Sequence, residues 1–153
     1  MKKILLTATI IIVTGIMLSG CGTADTPMDQ PADDGKYHYE NKSLGFEITL
    51  PSTFEYYQTQ RKEAGDYKDI EFFVPTSDTD IDSGVPNYAK PLVVRIFNES
   101  AWEEEKGTGF FKEVGRQDDK VYTAKFWNII PKDWEDKWDD GVKQDIIDSF
   151  KLQ

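Results

Sequence analysis

The stretch Gly45-Phe46-Glu47-Ile48-Thr49-Leu50-Pro51 sets apolar Phe46, Ile48 and Leu50 against polar Glu47 and Thr49. A two-residue period is that of a strand with one buried face, and Pro51 ends it because proline brings no backbone N–H to a ladder. The pattern recurs downstream. Ile70, Phe72 and Val74 alternate before Pro75, and Leu92, Val94 and Ile96 alternate after Pro91. Val93 and Phe97 make this last strand apolar on both faces, which predicts a central position in a sheet.

Beyond it, Ser100 and Glu103 have capping-box spacing and Gly107 is a suitable stop, so a short helix is expected between them. Phe110 to Val114 and Tyr122 to Ile129 read as two further strands around a polar turn from Gly115 to Lys120. Trp134, Trp138, Val142, Ile146 and Phe150 then fall four residues apart, the spacing of one helix face, with Gly141 placed to weaken or divide that helix. Hairpin-like strands with a mid-chain helix, a C-terminal helix and no βαβ alternation predict a single α+β domain with an antiparallel sheet. All aromatic residues lie between Tyr37 and Phe150, so the domain is expected to span 37–153.

Upstream the composition changes. Residues 22–36 are rich in Gly, Thr, Asp and Pro and contain no aromatic residue, so they are expected to form a flexible tether. Before them, Lys2 and Lys3 precede an apolar run from Ile4 to Leu18, the anatomy of an export signal over residues 1–20. That run is shorter than the ~20 residues a membrane-spanning helix requires.

The run ends in Leu18-Ser19-Gly20-Cys21, which resembles the lipobox of bacterial lipoproteins: an apolar residue, two small residues and a cysteine. The resemblance implies that Cys21 receives a diacylglyceryl group and, after cleavage before it, becomes the first residue of an extracytoplasmic chain held to a bacterial membrane by lipid. The alternative is an ordinary signal peptide that leaves Cys21 a free thiol. As the only cysteine, Cys21 has no partner for an internal disulfide. The folded part also resembles the PsbP-like fold, through the strand-proline entry at Gly45–Pro51 with Phe54 just beyond, and through the closing Ser149-Phe150-Lys151. Members of that fold range from photosystem assembly subunits to lipoproteins, so the resemblance implies architecture and no particular chemistry.

The formal charge is −10, and about −12 once Lys2 and Lys3 leave with the signal. Such an excess of acid argues against nucleic acid as a partner, because that binding relies on Lys and Arg displacing counterions from phosphates. It equally disfavours lying flat on anionic headgroups.

Signatures of catalysis are missing: there is no Gly-x-Ser-x-Gly elbow, no phosphate loop and no His-Glu-x-x-His helix. His38 and Glu40 could begin a metal site that nothing nearby completes. Asp78, Asp80 and Asp82 have the spacing of the first ligands of a calcium loop, but Ser83 and Ala89 stand where glycine and glutamate are required. Glu103-Glu104-Glu105, Glu135-Asp136 and Asp139-Asp140 supply carboxylates, and helical spacing turns them towards solvent. Trp134 and Trp138 read either as part of a core stripe or as a ligand platform of the kind that stacks on sugars. The function expected is non-enzymatic binding or support of another envelope component, protein or glycan, by a lipid-anchored domain that needs no cofactor. The alternatives are an envelope hydrolase with a nonstandard carboxylate site, or a lipoprotein that binds a small ligand or metal.

Overall fold

In the computed structural model, which describes residues 31–153, Tyr37–Asn41 (β1) and Phe46–Leu50 (β2) form an antiparallel hairpin. The Asn41 carboxamide oxygen ties its turn by accepting from the Leu44 backbone N–H (3.0 Å) and the Ser43 hydroxyl (2.9 Å). Gly45 completes it at φ 74°, a left-handed value that a side chain would strain. Residues 1–30 are not described, so the export signal, Cys21 and most of the expected tether lie outside the described residues. The expected tether reaches Lys36, but its last residues are ordered. The Ala32 N–H donates to the Lys36 carbonyl, and the Asp34 carboxylate accepts from both the Lys36 N–H and the His38 ring.

After Pro51 the chain leaves the first sheet through a 3-10 turn, Ser52–Phe54, and enters a second. This sheet holds Gln58–Ala64 (β3), Tyr67–Pro75 (β4), Tyr88–Asn98 (β5), Lys112–Gln117 (β6) and Lys120–Phe126 (β7), in the order β3-β4-β5-β7-β6 with antiparallel neighbours throughout. The central place expected for the Leu92–Phe97 strand is where β5 lies. The α+β class is as expected, but two sheets stand where one was predicted, because the β1–β2 hairpin pairs with the last strand, Lys151–Leu152 (β8), through β2 and with no strand of the larger sheet. Gly115 permits this: a Cβ there would meet the Leu152 side chain at 3.1 Å.

The inward faces of the two sheets form one core. Tyr39, Phe46, Ile48 and Leu50 come from the small sheet, and Ile70, Phe72, Leu92, Val94 and Tyr122 from the large one. Tyr39 meets Phe72 edge-on at 5.0 Å, Phe46 stacks on Phe150 at 5.3 Å, and the buried Tyr122 hydroxyl donates to the Leu44 carbonyl at 2.8 Å.

The mid-chain helix is where a short one was expected, with a different cap, and the C-terminal helix is shorter than predicted. The mid-chain helix (α1) runs Glu99–Glu105, and its cap is Asn98, whose side chain accepts from the Ala101 N–H; the Ser100 hydroxyl donates to that same oxygen. The C-terminal helix (α2) runs only Asp140–Asp148, capped by Asp139, with Ile146 reaching the core. The single helix face from Trp134 to Phe150 is therefore corrected. Trp134 closes a separate 3-10 turn, Lys132–Trp134, Trp138 lies before the helix, and Gly141 stands in its first turn. Among the described residues no helix is long and apolar enough to cross a membrane.

Candidate functional site

The larger sheet turns its second face away from the core, and this face is unusual for a sheet exterior because its charged side chains are partly buried. Alternation along β4 and β5 places Asp69, Glu71, Val93 and Arg95 there, and a shift of register between Phe72 and Val74 brings Lys90 to the same face. At one end the face is covered, where Trp102 of α1, Phe97 and Val121 form a small second core with Tyr67 and Phe111 packed against it. Beyond that cover lies a groove of about 200 Å³ bordered by Asp69, Glu71, Val93, Arg95, Lys125 and Trp127. It adjoins a wider depression of about 680 Å³ through Lys90, Trp127 and Asn128, which line both.

Two ion-pair systems stiffen its floor. Arg95 forks onto Asp69 (Nε–Oδ1 2.6 Å, Nη2–Oδ2 2.7 Å) while its guanidinium carbon lies 3.6 Å from the Tyr67 ring centre. Burial opposes the Arg95 charge, but the Asp69 fork outweighs it and raises the Arg95 pKa. Glu71 takes the Lys90 ammonium on one carboxylate oxygen and that of Lys62 on the other, both at 2.7 Å. Burial alone would raise the Glu71 pKa; the two lysines overcome it and hold the carboxyl below its ordinary value. A carboxyl so held is ionised at neutral pH and unsuited to act as a general acid.

A pH dependence follows. Because the folded pKa of Glu71 is depressed, the stabilisation is present above the ordinary glutamate value of 4.5 and is lost as pH falls through the lower folded value. The thermal midpoint of the wild type should thus fall below about pH 4.5 more steeply than that of Glu71→Gln. Identical acid profiles for the two proteins would contradict this role.

Lys125 is the exception among the groove cations. Half-buried on β7 beside Val93, it extends over Phe110 and Phe111, with ring centres 5.3 and 5.5 Å from the ammonium, and has no ion-pair partner among the described residues. The large exposed apolar side chains Phe110 (60% exposed) and Ile129 (74%) stand at the groove and the adjoining depression respectively.

Of the residues singled out from sequence, Asp78, Asp80, Asp82 and Glu135 line the depression beside the groove, and the others take structural roles away from it. Trp134 and Trp138 are only 3% and 4% exposed: Trp134 meets Phe54 edge-on and donates its indole N–H to the Pro75 carbonyl, while Trp138 packs on Phe54, Phe126 and Trp127. Neither ring offers a face to solvent as a sugar platform would. Asp78 and Asp80 flank Lys132, whose ammonium lies 3.8 Å from one and 2.7 Å from the other, and Asp78 also accepts the Lys132 and Asp80 backbone N–H groups. Asp82 accepts from the Gly84 N–H. His38 bridges Asp34 and Thr49. Of the acidic clusters, Glu103 pairs with Lys106, Asp139 caps α2 and Asp140 pairs with Lys143. Among the described residues no group of three or more His, Cys, Asp or Glu side chains could hold a metal ion.

Sequence reading missed the groove because its members are spread over four strands, and β3, which supplies Lys62, has no apolar alternation. The available signal was Asp69-Ile70-Glu71 and Arg95, charges in the outward register of strands whose inward register is apolar; Lys90 joins them only through the register shift in β4 and β5. No family model, no curated protein and no solved structure matches the chain.

Proposed function

We propose that this chain is a lipid-anchored extracytoplasmic domain, attached to a bacterial membrane through Cys21, that binds another envelope component without catalysing a reaction. The observation that carries the binding role is the open outer face of the large sheet, a groove stiffened by partly buried ion pairs, with the exposed side chains of Phe110 beside its Lys125 and of Ile129 in the adjoining depression. Aromatic and aliphatic anchors beside a preformed groove are what a partner can desolvate, and a floor locked by ion pairs loses little freedom on binding. The lipobox at Leu18–Cys21 supports the address, and the Gly, Pro and Asp composition of residues 22–30 suits a spacer between anchor and domain.

Affinity capture from the native envelope tests this reading. The wild-type chain should retain an envelope component that the double variant Phe110→Ser, Ile129→Ser loses by about tenfold or more, since exposed anchors contribute to binding and little to folding. The unfolding midpoint of that variant should stay within a few degrees of wild type. Equal capture by both proteins would overturn the assignment of this face.

A further inference from the structure

At and beside the groove four cations, Lys62, Lys90, Arg95 and Lys125, stand with two acids, Asp69 and Glu71, in a chain whose formal charge is −10; Glu113 lies further along the same face, in the row of Asp69, Arg95 and Thr123. Three of the four are committed to Asp69 and Glu71. Lys125 is not; it is half-buried, and its ammonium lies over the Phe110 and Phe111 rings. Strand register puts Gln60, Glu71, Val93 and Lys125 in one row across the sheet, so the half-exposed Val93 lies between the occupied Glu71 and the uncommitted Lys125.

We infer, building on the binding role proposed above, that this groove seats a side-chain carboxylate of an acidic peptide segment over Val93, against the Lys125 ammonium. One uncommitted ammonium matches one negative charge. A phosphate dianion would demand further cationic donors, and those of Arg95, Lys62 and Lys90 are already engaged by Asp69 and Glu71. A neutral occupant would desolvate the Lys125 charge with only the Phe110 and Phe111 ring faces to offset it, at a cost. Phe110 beside the ammonium and Val93 beneath the carboxylate offer apolar surface, which suits a segment alternating acidic with apolar side chains. Asp78, Asp80, Asp82 and Glu135 in the adjoining depression would repel the acidic side chains, so only an apolar end of the segment can reach Ile129 and the carboxylate is directed to the Lys125 end.

Fluorescence anisotropy tests this with the full chain in a non-ionic detergent and a fluorescein-labelled peptide of alternating glutamate and leucine. Binding should saturate, weaken as salt is added and fall by about tenfold in Lys125→Met, which keeps an unbranched apolar side chain and removes the charge. A counterpart peptide with lysine for glutamate should not bind. Unaltered affinity in a folded Lys125→Met, equal binding of the lysine peptide, or no binding of the acidic peptide would overturn the inference. So would binding of polygalacturonate or inorganic phosphate in its place. Should capture of the envelope component still depend on Phe110 and Ile129 while the acidic peptide fails to bind, the binding face stands and only its ligand chemistry falls.

Discussion

Trp138→Ala should destabilise the domain by roughly 3–5 kcal/mol, the range for losing a fully packed large aromatic. For a domain of this size that lowers the thermal midpoint by on the order of 10–20 °C. Trp138 is 4% exposed and lies in the segment between a 3-10 turn and α2, with its ring centre 4.9 Å from that of Trp127, 5.7 Å from Phe126 and 6.2 Å from Phe54. These partners come from the end of β7, the residue after it and the turn after Pro51, so one side chain joins the larger sheet and the connection between the sheets to the C-terminal segment. The Trp138 indole N–H is buried and donates to no protein atom among the described residues. Trp138→Phe removes that unsatisfied donor and keeps most of the packing, so it should cost much less than alanine. Thermal unfolding followed by circular dichroism distinguishes the two variants; an unchanged midpoint for Trp138→Ala would mean that the ring is not part of the core.

The strands with strict alternation were legible from sequence because one face of each meets the core. Phe46–Leu50, Ile70–Val74 and Leu92–Ile96 fall within β2, β4 and β5. β3 was not legible: Gln58–Ala64 is polar on both faces, and it is a strand because its backbone pairs with β4 along its whole length. The C-terminal spacing misled for a related reason. Trp134 and Trp138 are buried as a helix stripe would be, but they are carried by a turn and a loop, and residue period cannot distinguish those from a helix when the contacts come from other elements. The cap of α1 is Asn98, the last residue of β5, whose side chain brings the oxygen that the first helical turn needs. The groove was the least legible feature, since its chemistry depends on cross-strand register between residues up to 56 positions apart, from Asp69 to Lys125. Register follows from pairing, which the local pattern of any one strand does not specify.

Cys21→Ser should abolish membrane attachment through lipid altogether. The lipobox reading assigns the anchor to a single sulfur, and the chain has no second cysteine to replace it. Each buried methylene of an acyl chain contributes ~0.8 kcal/mol, so one chain holds marginally while the two of a diacylglyceryl group hold stably. Serine is nearly the same size as cysteine but lacks the thiol that forms the thioether, so its variant should emerge either uncleaved, with residues 1–20 still attached, or cleaved and without lipid. The acidic surface offers no alternative attachment to anionic headgroups.

Intact-mass spectrometry of the protein extracted from the membrane of a bacterial host decides the matter most directly. The wild type should begin at Cys21 and carry a diacylglyceryl group, and Cys21→Ser should carry none. A wild-type chain that begins elsewhere, with Cys21 unmodified, would contradict the lipid-anchored account.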